Sequence, residues 1–239
     1  MNSIQCYLCG CSQTEPAHAD MVRCKECKLF IKKEVPNKED LKVKLKDFLL
    51  SACWNKKNRA GRMEDAKRQL DTLEKYIKPG KVFDVGAASG FFMKAAKERG
   101  WKPHGNDISI AGVKWAKENF DLAIHHDFFE DIDLPVNEYD AVVLWNTLEH
   151  THNPAQTIKV AKQILKLNGF IYIKVPETRT VELLRKYYEP MHFFEFNLNN
   201  LVRHLRSQGF VEKEIYKEWE RNDISHTEYL FQLEEKGDL

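Results

Sequence analysis

Two pairs of cysteines stand at the beginning of the sequence. Cys6 and Cys9 form one C-x2-C pair. Cys24 and Cys27 form a second pair, 14 residues further on. Each pair can fold into a knuckle that presents two thiolates, and two knuckles complete a tetrahedral zinc site with no open position. Residues 1–30 are therefore predicted to form a structural zinc ribbon that draws its folding energy from the metal; four thiols without a metal are the alternative.

A run of small residues follows an apolar segment near residue 85. Val82–Val85 is typical of a buried strand and leads directly into Gly86–Gly90. In open α/β sheets, ligands bind beyond the carboxyl ends of the strands, where small residues expose the backbone. The dinucleotide pattern G-x-G-x-x-G is absent, because Ala88 and Phe91 occupy its second and third glycine positions. Asp84 could order the loop or bind an ammonium group of the ligand.

Two further carboxylates follow predicted strands. Asp107 comes 23 residues after Asp84, close to the spacing at which an acidic residue reaches ribose hydroxyls. Ile108 would then lie against an adenine ring, and Asp127 would meet the adenine amino group. Each carboxylate alone would be read as a solvated strand end, but together they favour an adenosine-containing cofactor.

Two histidines also lie after predicted strands and are candidates for a general base. Histidine suits this role because its ordinary pKa is near neutrality. His192 follows the fifth predicted strand and is the first choice, with an ordering role in its loop as the alternative. His150 follows the fourth strand and could bind substrate or act as the base.

Strands and helices must alternate to position these residues. The predicted strands cover residues 81–85, 101–106, 122–125, 139–145, 170–175, 210–219 and 227–234. The predicted helices cover residues 59–77, 91–99, 109–119, 154–167 and 198–208, with Asn168-Gly169 as the stop signal of the fourth. The alternation predicts an α/β fold with a seven-stranded, mostly parallel sheet, and the last two strands predict an antiparallel edge.

The rest of the chain divides into a linker and a main domain. Residues 31–57 are lysine-rich, and their apolar positions fall at helical spacing after Asn37, which predicts a linker helix. Residues 58–239 are predicted to form the domain that carries the small-residue loop and both histidines.

Composition limits the partners of this protein. The 239 residues carry 37 basic and 36 acidic side chains, for a net charge of +1. Long nucleic acids usually require a strong basic excess, so they are less favoured as partners. Neither a signal peptide nor an apolar run long enough to cross a bilayer is evident. The sequence therefore predicts a cytoplasmic protein with reduced cysteines and no membrane partner.

From about residue 58 to residue 235 the chain resembles class I S-adenosylmethionine-dependent methyltransferases of the ubiquinone-biosynthesis and methyltransferase 23 groups. The segments that carry the resemblance are Phe83–Gly90, Gly105–Ser109, Leu148–Pro154, Leu165–Pro176 and His192–Phe196. The ribbon, with Arg23–Phe30, is similar to the beginning of many bacterial methyltransferases of sugar and surface-glycan pathways. The resemblance implies a Rossmann-like sheet and an S-adenosylmethionine site.

The resemblance also implies roles for individual residues. The expected cofactor-binding residues are Asp84, Gly86, Ala87, Ala88, Ser89, Gly90, Asp107, Ile108, Asp127, Phe128 and Asn146. Ala88 replaces a usual glycine, and we expect binding to survive this change. In ubiquinone-type relatives a Glu-x-x-Glu-His run holds magnesium; here Asn146 replaces the first carboxylate, which predicts no catalytic metal. His192 matches a histidine of sugar-methylating relatives, although Met191 stands where glutamate often precedes it.

These features together predict methyl transfer from S-adenosylmethionine to a small molecule. The expected acceptor is a hydroxyl of a sugar or glycan precursor, such as a nucleotide sugar. One alternative is a ribosomal RNA methyltransferase that uses the ribbon for RNA recognition. Its candidate basic face consists of lysines 32, 33, 38, 42, 44 and 46. A second alternative is a noncatalytic module that binds S-adenosylmethionine and recruits a partner. The sequence makes no prediction of oligomeric state.

Overall fold

The computed structural model describes residues 4–43, 56–219 and 225–234, which form two β-sheets and their surrounding helices. The strands are β1 (Thr14–His18), β2 (Met21–Cys24), β3 (Phe30–Lys32), β4 (Lys81–Val85), β5 (Lys102–Asn106), β6 (Tyr139–Trp145), β7 (Leu165–Glu177), β8 (Phe194–Glu195), β9 (Phe210–Trp219) and β10 (Ser225–Leu233). The helices are α1 (38–43), α2 (Lys56–Leu73), α3 (Phe91–Glu98), α4 (Ile110–Phe120), α5 (Pro154–Ile164), α6 (Val181–Tyr187) and α7 (Leu198–Ser207). Short 3-10 helices cover Phe129–Asp131 and Leu148–His150. None of the described helices combines the length and the apolar character that a membrane span requires.

The larger sheet has the strand order β5-β4-β6-β7-β10-β9. Its first four strands are parallel, whereas β10 is antiparallel to both of its neighbours. The predicted Rossmann-like α/β fold class is therefore confirmed. Two details of the prediction were wrong. The sheet has six described strands rather than seven, because the predicted strand at 122–125 is reduced to one bridge between Asn106 and His125.

The second wrong detail is the place of the antiparallel strand, which is not at the edge. β9 does not pair with β7, because a gap of one strand separates them. β10 forms a hairpin with β9 and occupies that gap, where it pairs with both strands. This arrangement keeps the connection to β10 short and leaves β9 as the outer strand.

Successive side chains of the parallel strands point to opposite faces of the sheet, and both faces are buried. On one face, Phe83 and Val85 share a core with Ile158 of α5 and Leu201 of α7. On the other face, residues of β4, β6 and β7 pack against α2 and α3 in a second core. The carboxyl ends of β4, β5 and β6 therefore meet at one edge between two helical layers, where the predicted ligand site lies.

Local signals placed most element ends, with one clear exception. Ser109 caps α4 as predicted, because its side chain accepts a hydrogen bond from Gly112 N at 3.3 Å. The expected end of α5 at Asn168-Gly169 was wrong, since α5 ends at Ile164 and β7 begins at Leu165. Asn168 adopts a φ of 63° inside the strand, where the register with β6 is irregular. The turn signal there marks a bulge rather than a helix end.

The smaller sheet joins the two cysteine pairs to the main body of the chain. Its order is β1-β2-β3-β8, with every pair antiparallel. β1 and β2 lie in the predicted ribbon, β3 extends the ribbon by two residues to Lys32, and β8 comes from residues 194–195. Cys6, Cys24 and Cys27 are buried in the same core as Phe83.

The predicted linker at 31–57 is only partly described. Ile31 and Lys32 belong to β3, and residues 38–43 form α1. Asn37 begins this helix, since its Oδ1 accepts a hydrogen bond from Asp40 N at 2.9 Å. Residues 44–55 lie outside the described ranges, and residues 56 and 57 already belong to α2.

Candidate active site

Three residues in the left-handed backbone region shape the turn after β4. Gly86, Ala88 and Gly90 have φ values of 73°, 47° and 72°. A Cβ atom at Gly86 would lie 2.6 Å from Thr147 Oγ1, and one at Gly90 would lie 2.8 Å from Leu122 Cδ1. Both positions therefore require glycine. Ala88 adopts the same backbone region with a side chain, at a cost of about 1 kcal/mol, which explains why glycine is usual there.

Asp107 ties this turn to the end of β5. Its Oδ2 accepts a hydrogen bond from Ala88 N at 2.7 Å, and its Oδ1 accepts one from Ser109 N at 2.7 Å. Asp107 is buried and borders the cavity described below. A carboxylate has about four acceptor positions, so two remain for ligand hydroxyls.

Asp84, at the end of β4, is the most deeply buried acid of this loop. Burial raises the pKa of its carboxyl to about 8, and the charge of Asp107 acts in the same direction. A buried carboxyl in this state gains from a neighbouring cation, which would restore its charged form. Its position therefore suits the ammonium group of an amino-acid ligand.

The turn opens into a cavity of about 530 Å³ at the carboxyl ends of β4, β5 and β6. This volume is in the usual range of small-molecule sites. The predicted cofactor residues that line it are Asp84, Gly86, Ala87, Ala88, Ser89, Asp107, Ile108, Phe128 and Asn146. Gly90 is outside the cavity wall and stands at the beginning of α3. Asp127 is also outside the wall: its Oδ1 accepts a hydrogen bond from Phe128 N and lies 3.6 Å from Lys42 Nζ.

One wall of the cavity was missed by the sequence analysis. Arg62, Asp65 and Gln69 of α2 line it, and Leu41 of α1 lies at another part of the wall. The α2 residues are three and four positions apart, so they share one helix face. This spacing can be read from the sequence, but nothing in the sequence indicates that this face meets the cavity.

Lys174 is a second missed residue of the cavity wall. It is buried on β7, and its Nζ lies 3.6 Å from Oε1 of the buried Glu228. Glu228 also accepts hydrogen bonds from Arg68 at 2.8 Å and from the hydroxyl of Tyr172 at 2.6 Å. The signal was available, because a lysine inside an apolar strand must be paired when it is buried.

His150 lies in the cavity wall, as expected for a residue just after β6. Its Nδ1 donates a hydrogen bond to the carbonyl oxygen of Met191 at 2.8 Å. Burial lowers the pKa of His150 to about 4, and the nearby His192 acts in the same direction. The imidazole is therefore neutral near pH 7, with Nε2 as its acceptor atom.

His192 packs against His150, with 5.0 Å between the ring centroids, but it does not itself line the cavity. Its Nδ1 donates a hydrogen bond to Glu195 Oε1 at 2.8 Å, and Glu195 Oε2 accepts one from Thr178 Oγ1 at 2.7 Å. Burial by itself lowers the pKa of His192, but the hydrogen bond and charge of Glu195 outweigh burial and raise it. Glu195, which the sequence analysis missed, thus makes His192 the more basic imidazole of the pair.

Glu149 completes this cluster. It is 1% exposed, and neither of its carboxylate oxygens has a hydrogen-bond partner among the described residues. Burial raises its pKa to about 7, although the charge of His192 opposes the effect. Ligand atoms of Glu149, His150 and His192 lie within 4.8 Å of one another. The prediction of no catalytic metal rested on Asn146 alone, which replaces the first carboxylate of the metal-binding motif. The sequence does not show that His192 lies beside Glu149 and His150.

The four cysteines of the two C-x2-C pairs also come together. Cys6 Sγ lies 3.4 Å from Cys27 Sγ, and Cys9 Sγ lies 3.6 Å from Cys24 Sγ. All four sulfur atoms are within 4.8 Å of one another. Tetrahedral zinc with bonds near 2.3 Å separates its sulfur ligands by about 3.8 Å, so the cluster has the donor set and the size of a structural zinc site.

Comparisons with known proteins agree with this geometry. An uncharacterized protein of Methanocaldococcus jannaschii is 25% identical over 170 residues, which cover 66% of this chain and 79% of that protein. A ubiquinone biosynthesis O-methyltransferase of Saccharophagus degradans is 31% identical over 98 residues, which cover 38% of this chain and 42% of that enzyme. The alignment with the second relative thus spans less than half of its length.

Among solved structures, the 1,6-didemethyltoxoflavin-N1-methyltransferase of Burkholderia thailandensis shares the fold, with a TM-score of 0.64 at 13% identity. The match covers 93% of this chain and 100% of that chain, which contains 1,6-didemethyltoxoflavin and S-adenosylhomocysteine. The profile of the methyltransferase 23 family, described as a methyltransferase domain, matches residues 56–223. Because this match covers well over half of the sequence, the chain belongs to that family and is an S-adenosylmethionine-dependent methyltransferase.

Proposed function

We propose that the enzyme methylates a hydroxyl group of a small molecule, with a sugar or glycan precursor such as a nucleotide sugar as the acceptor. The observation that carries this proposal is the partly buried pair of His150 and His192 at the cavity, with the carboxylate of Glu195 hydrogen-bonded to His192. A hydroxyl acceptor must lose a proton when it is methylated, and such a pair can take it.

The residues around the turn after β4 would hold the cofactor. S-Adenosylmethionine would supply a methyl group on a sulfonium sulfur: the acceptor oxygen would attack the methyl carbon in line, and S-adenosylhomocysteine would leave. Asp84 would hold the ammonium group, and Asp107 would accept hydrogen bonds from the ribose hydroxyls. Ile108 and Phe128 would contact the adenine ring. These roles follow from their places in the cavity wall and from the chemistry of each side chain.

The histidine pair would manage the acceptor proton. As the carbon–oxygen bond forms and the carbon–sulfur bond breaks, the proton leaves the acceptor oxygen for the pair. His150, which lines the cavity, would accept it first. His192, whose ring nitrogen lies within 4.8 Å of a His150 nitrogen, would be its final site, because Glu195 raises the pKa of that imidazole whereas burial lowers the pKa of His150. Glu149 contributes a buried acid beside the pair, and we assign the cluster to proton transfer rather than to a metal.

Support for a small acceptor comes from relatives and from the lysines. The two named relatives are, by their names, methyltransferases of ubiquinone biosynthesis and of didemethyltoxoflavin. Three lysines of the candidate RNA-binding face are paired with acids: Lys32 with Asp20, Lys38 with Asp131 and Lys42 with Asp127. Positions 44 and 46 lie outside the described residues. This pairing leaves less free positive charge for RNA phosphates.

The choice of a sugar precursor rests on sequence alone. The ribbon and the His192 segment resemble those of bacterial sugar-methylating enzymes. We further propose that Cys6, Cys9, Cys24 and Cys27 bind structural zinc, with residues 1–30 as the ribbon and residues 58–239 as the methyltransferase domain.

Substitution of Asp107 tests the proposed cofactor site. Calorimetric titration with S-adenosylmethionine should show one site per chain, and Asp107→Ala should weaken binding about 100-fold because a ribose contact and the order of the turn are both lost. Asp133→Ala, which alters an exposed carboxylate, serves as the matched control. Unchanged affinity in a folded Asp107→Ala variant would refute the ribose assignment.

A second experiment tests the acceptor class. Enzyme loaded with S-adenosylmethionine should add one methyl group to a member of a nucleotide-sugar panel, detected as a mass gain, and His192→Gln should abolish that gain. Methylation of RNA fragments but of no nucleotide sugar would reverse the proposal. Cofactor binding without any acceptor in an extract of the source cells would favour a noncatalytic module.

A further inference from the structure

The strand that carries Glu195 is held by the cysteine ribbon. β8 pairs with β3, so that Phe30 faces Glu195 and Ile31 faces Phe194. The pairing extends one residue further, because Lys32 N donates a hydrogen bond to the carbonyl oxygen of Phe193 at 2.9 Å. The carboxylate that orients His192 is thus positioned by a strand that lies about 165 residues away in the sequence.

Buried side chains fix the same junction. Leu29, Phe30, Ile31 and Phe194 are fully buried, and the ring of Phe194 meets that of Tyr7 edge-on at 5.0 Å between centroids. Tyr7 lies inside the first cysteine pair, and Leu29 comes two residues after the second pair. The cysteine cluster therefore sets the positions of the residues that pack on β8.

A second contact anchors the beginning of the His192 loop. Asp20, in the turn between β1 and β2, accepts a hydrogen bond from the hydroxyl of Tyr188 at 2.5 Å. Lys32 Nζ lies 3.3 Å from Asp20 Oδ2 and donates a hydrogen bond to the carbonyl oxygen of Pro190. The ribbon thus holds the loop both before and after His192.

The wall of the cofactor cavity is formed without residues of the ribbon. Among the described residues that line it, none comes from residues 4–32, and the first along the chain is Leu41. The turn after β4 is instead ordered by Asp107 and by contacts within the main sheet. Loss of the ribbon should therefore affect the two halves of the site differently.

We propose that the cysteine ribbon is a positioning element of the acceptor side. It holds β8 and the loop of residues 188–193, and thereby fixes Glu195 against His192. This inference rests on the proposed function for the role of His192 in catalysis and on zinc as the metal of the cluster. It assigns the ribbon a task inside the enzyme rather than recruitment of a partner.

Cys27→Ser in the full-length enzyme tests the proposal through three measurements. Zinc content should fall, while the dissociation constant for S-adenosylmethionine stays within about threefold of the wild-type value. Hydrogen exchange of the backbone amides of residues 188–197 should become about tenfold faster. With an identified acceptor, kcat should fall about 100-fold, because the base is no longer oriented.

Each outcome decides the proposal. Unchanged exchange and unchanged kcat in the zinc-free variant would overturn it. A parallel loss of cofactor affinity would overturn it too, because the ribbon would then support the whole fold. If no acceptor is found for the wild-type enzyme, the proposed function fails, but the exchange and affinity measurements still judge the role of the ribbon.

Lys32→Met provides a test that leaves all cysteines in place. This variant removes the contacts with Asp20 and Pro190, whereas Lys33→Met alters an exposed neighbour that donates only to the carbonyl oxygen of Ala19. In Lys32→Met, but not in Lys33→Met, we expect faster hydrogen exchange at residues 188–193 than in the wild-type enzyme. The rising limb of the kcat/KM–pH profile should also move to lower pH in Lys32→Met only. Identical behaviour of the two variants would overturn the proposal even if Cys27→Ser does not fold.

Discussion

The two halves of the proposed active site are built in different ways. The cofactor half is centred on a single turn after β4, and the backbone conformation at Gly86, Ala88 and Gly90 defines its shape. The acceptor half brings together His150, His192 and the ribbon, which are far apart in sequence. The first half is therefore local and rigid by construction, whereas the second depends on the docking of one sheet strand on another. The comparison predicts that each half can be broken without the other.

Gly86→Ala should break the cofactor half and produce the largest effect. The new Cβ would lie 2.6 Å from Thr147 Oγ1, in a backbone region that disfavours side chains. We expect the dissociation constant for S-adenosylmethionine to rise at least about 100-fold, measured by calorimetry. Gly61→Ala is the matched control: it adds a methyl group in open space on α2 and should raise helix stability by about 1 kcal/mol without affecting binding.

Hydrogen exchange at residues 188–197 provides the second readout for Gly86→Ala. It should match the wild-type enzyme, because the contacts between β3 and β8 are not altered. Faster exchange there would mean that the two halves are coupled, and the comparison would no longer hold.

Glu195→Gln should impair the acceptor half and leave the cofactor half intact. Cofactor affinity should stay at the wild-type value, while maximal kcat/KM falls about 100-fold, because the imidazole of His192 loses the carboxylate that orients it. Glu195 raises the pKa of His192, and the imidazole must be deprotonated to act as the base. The rising limb of the pH–rate profile should therefore move to lower pH in the variant.

Glu182→Gln, an exposed change on α6, is the control for Glu195→Gln. A profile of Glu195→Gln that keeps its rising limb at the wild-type pH would show that His192 is not the titrating base.

Glu149→Gln should have a moderate effect, which we expect on the free energy of unfolding. Burial raises the pKa of this carboxyl to about 7, so the folded chain binds a proton between the ordinary pKa near 4.5 and about 7. The contribution of this group to the free energy of unfolding is fully present below pH 4.5 and is lost as the pH rises from about 4.5 through about 7. The glutamine variant should therefore be more stable than the wild type at pH 8, by up to about 3 kcal/mol in urea unfolding, and equal to it near pH 4.

Glu118→Gln, an exposed substitution on α4, should be neutral at both pH values. If Glu149→Gln lowers stability at pH 8, Glu149 has a cationic partner in the folded enzyme. That partner would be either protonated His192 or a metal ion held by the cluster. Metal bound to the purified enzyme would then show that the assignment to proton transfer is wrong.

The same contrast explains what the sequence could predict. The turn after β4 was found because strand, small residues and helix start follow one another along the chain. Glu195 was missed although it lies three residues after His192, because the pairing of β8 with the distant β3 positions the two side chains against each other. The place of β10 between β7 and β9 was missed for the same reason, since pairing order is decided by the whole sheet. Asp127 lies outside the cavity wall, and its carboxylate is 3.6 Å from Lys42 of α1, a neighbour that the sequence does not reveal.

Ala88→Gly should have the smallest effect and sharpens the description of the cofactor half. Ala88 has a φ of 47°, so glycine relieves backbone strain, whereas glycine at the neighbouring Ala87 relieves none and removes a buried methyl group. Both substitutions increase the entropy of the unfolded chain equally, so their difference isolates the strain. The free energy of unfolding, measured in urea, should be higher for Ala88→Gly than for Ala87→Gly by at least about 1–2 kcal/mol. Cofactor affinity should change by less than about twofold if the backbone alone defines this half of the site; a tenfold gain would show that the methyl group of Ala88 narrows it.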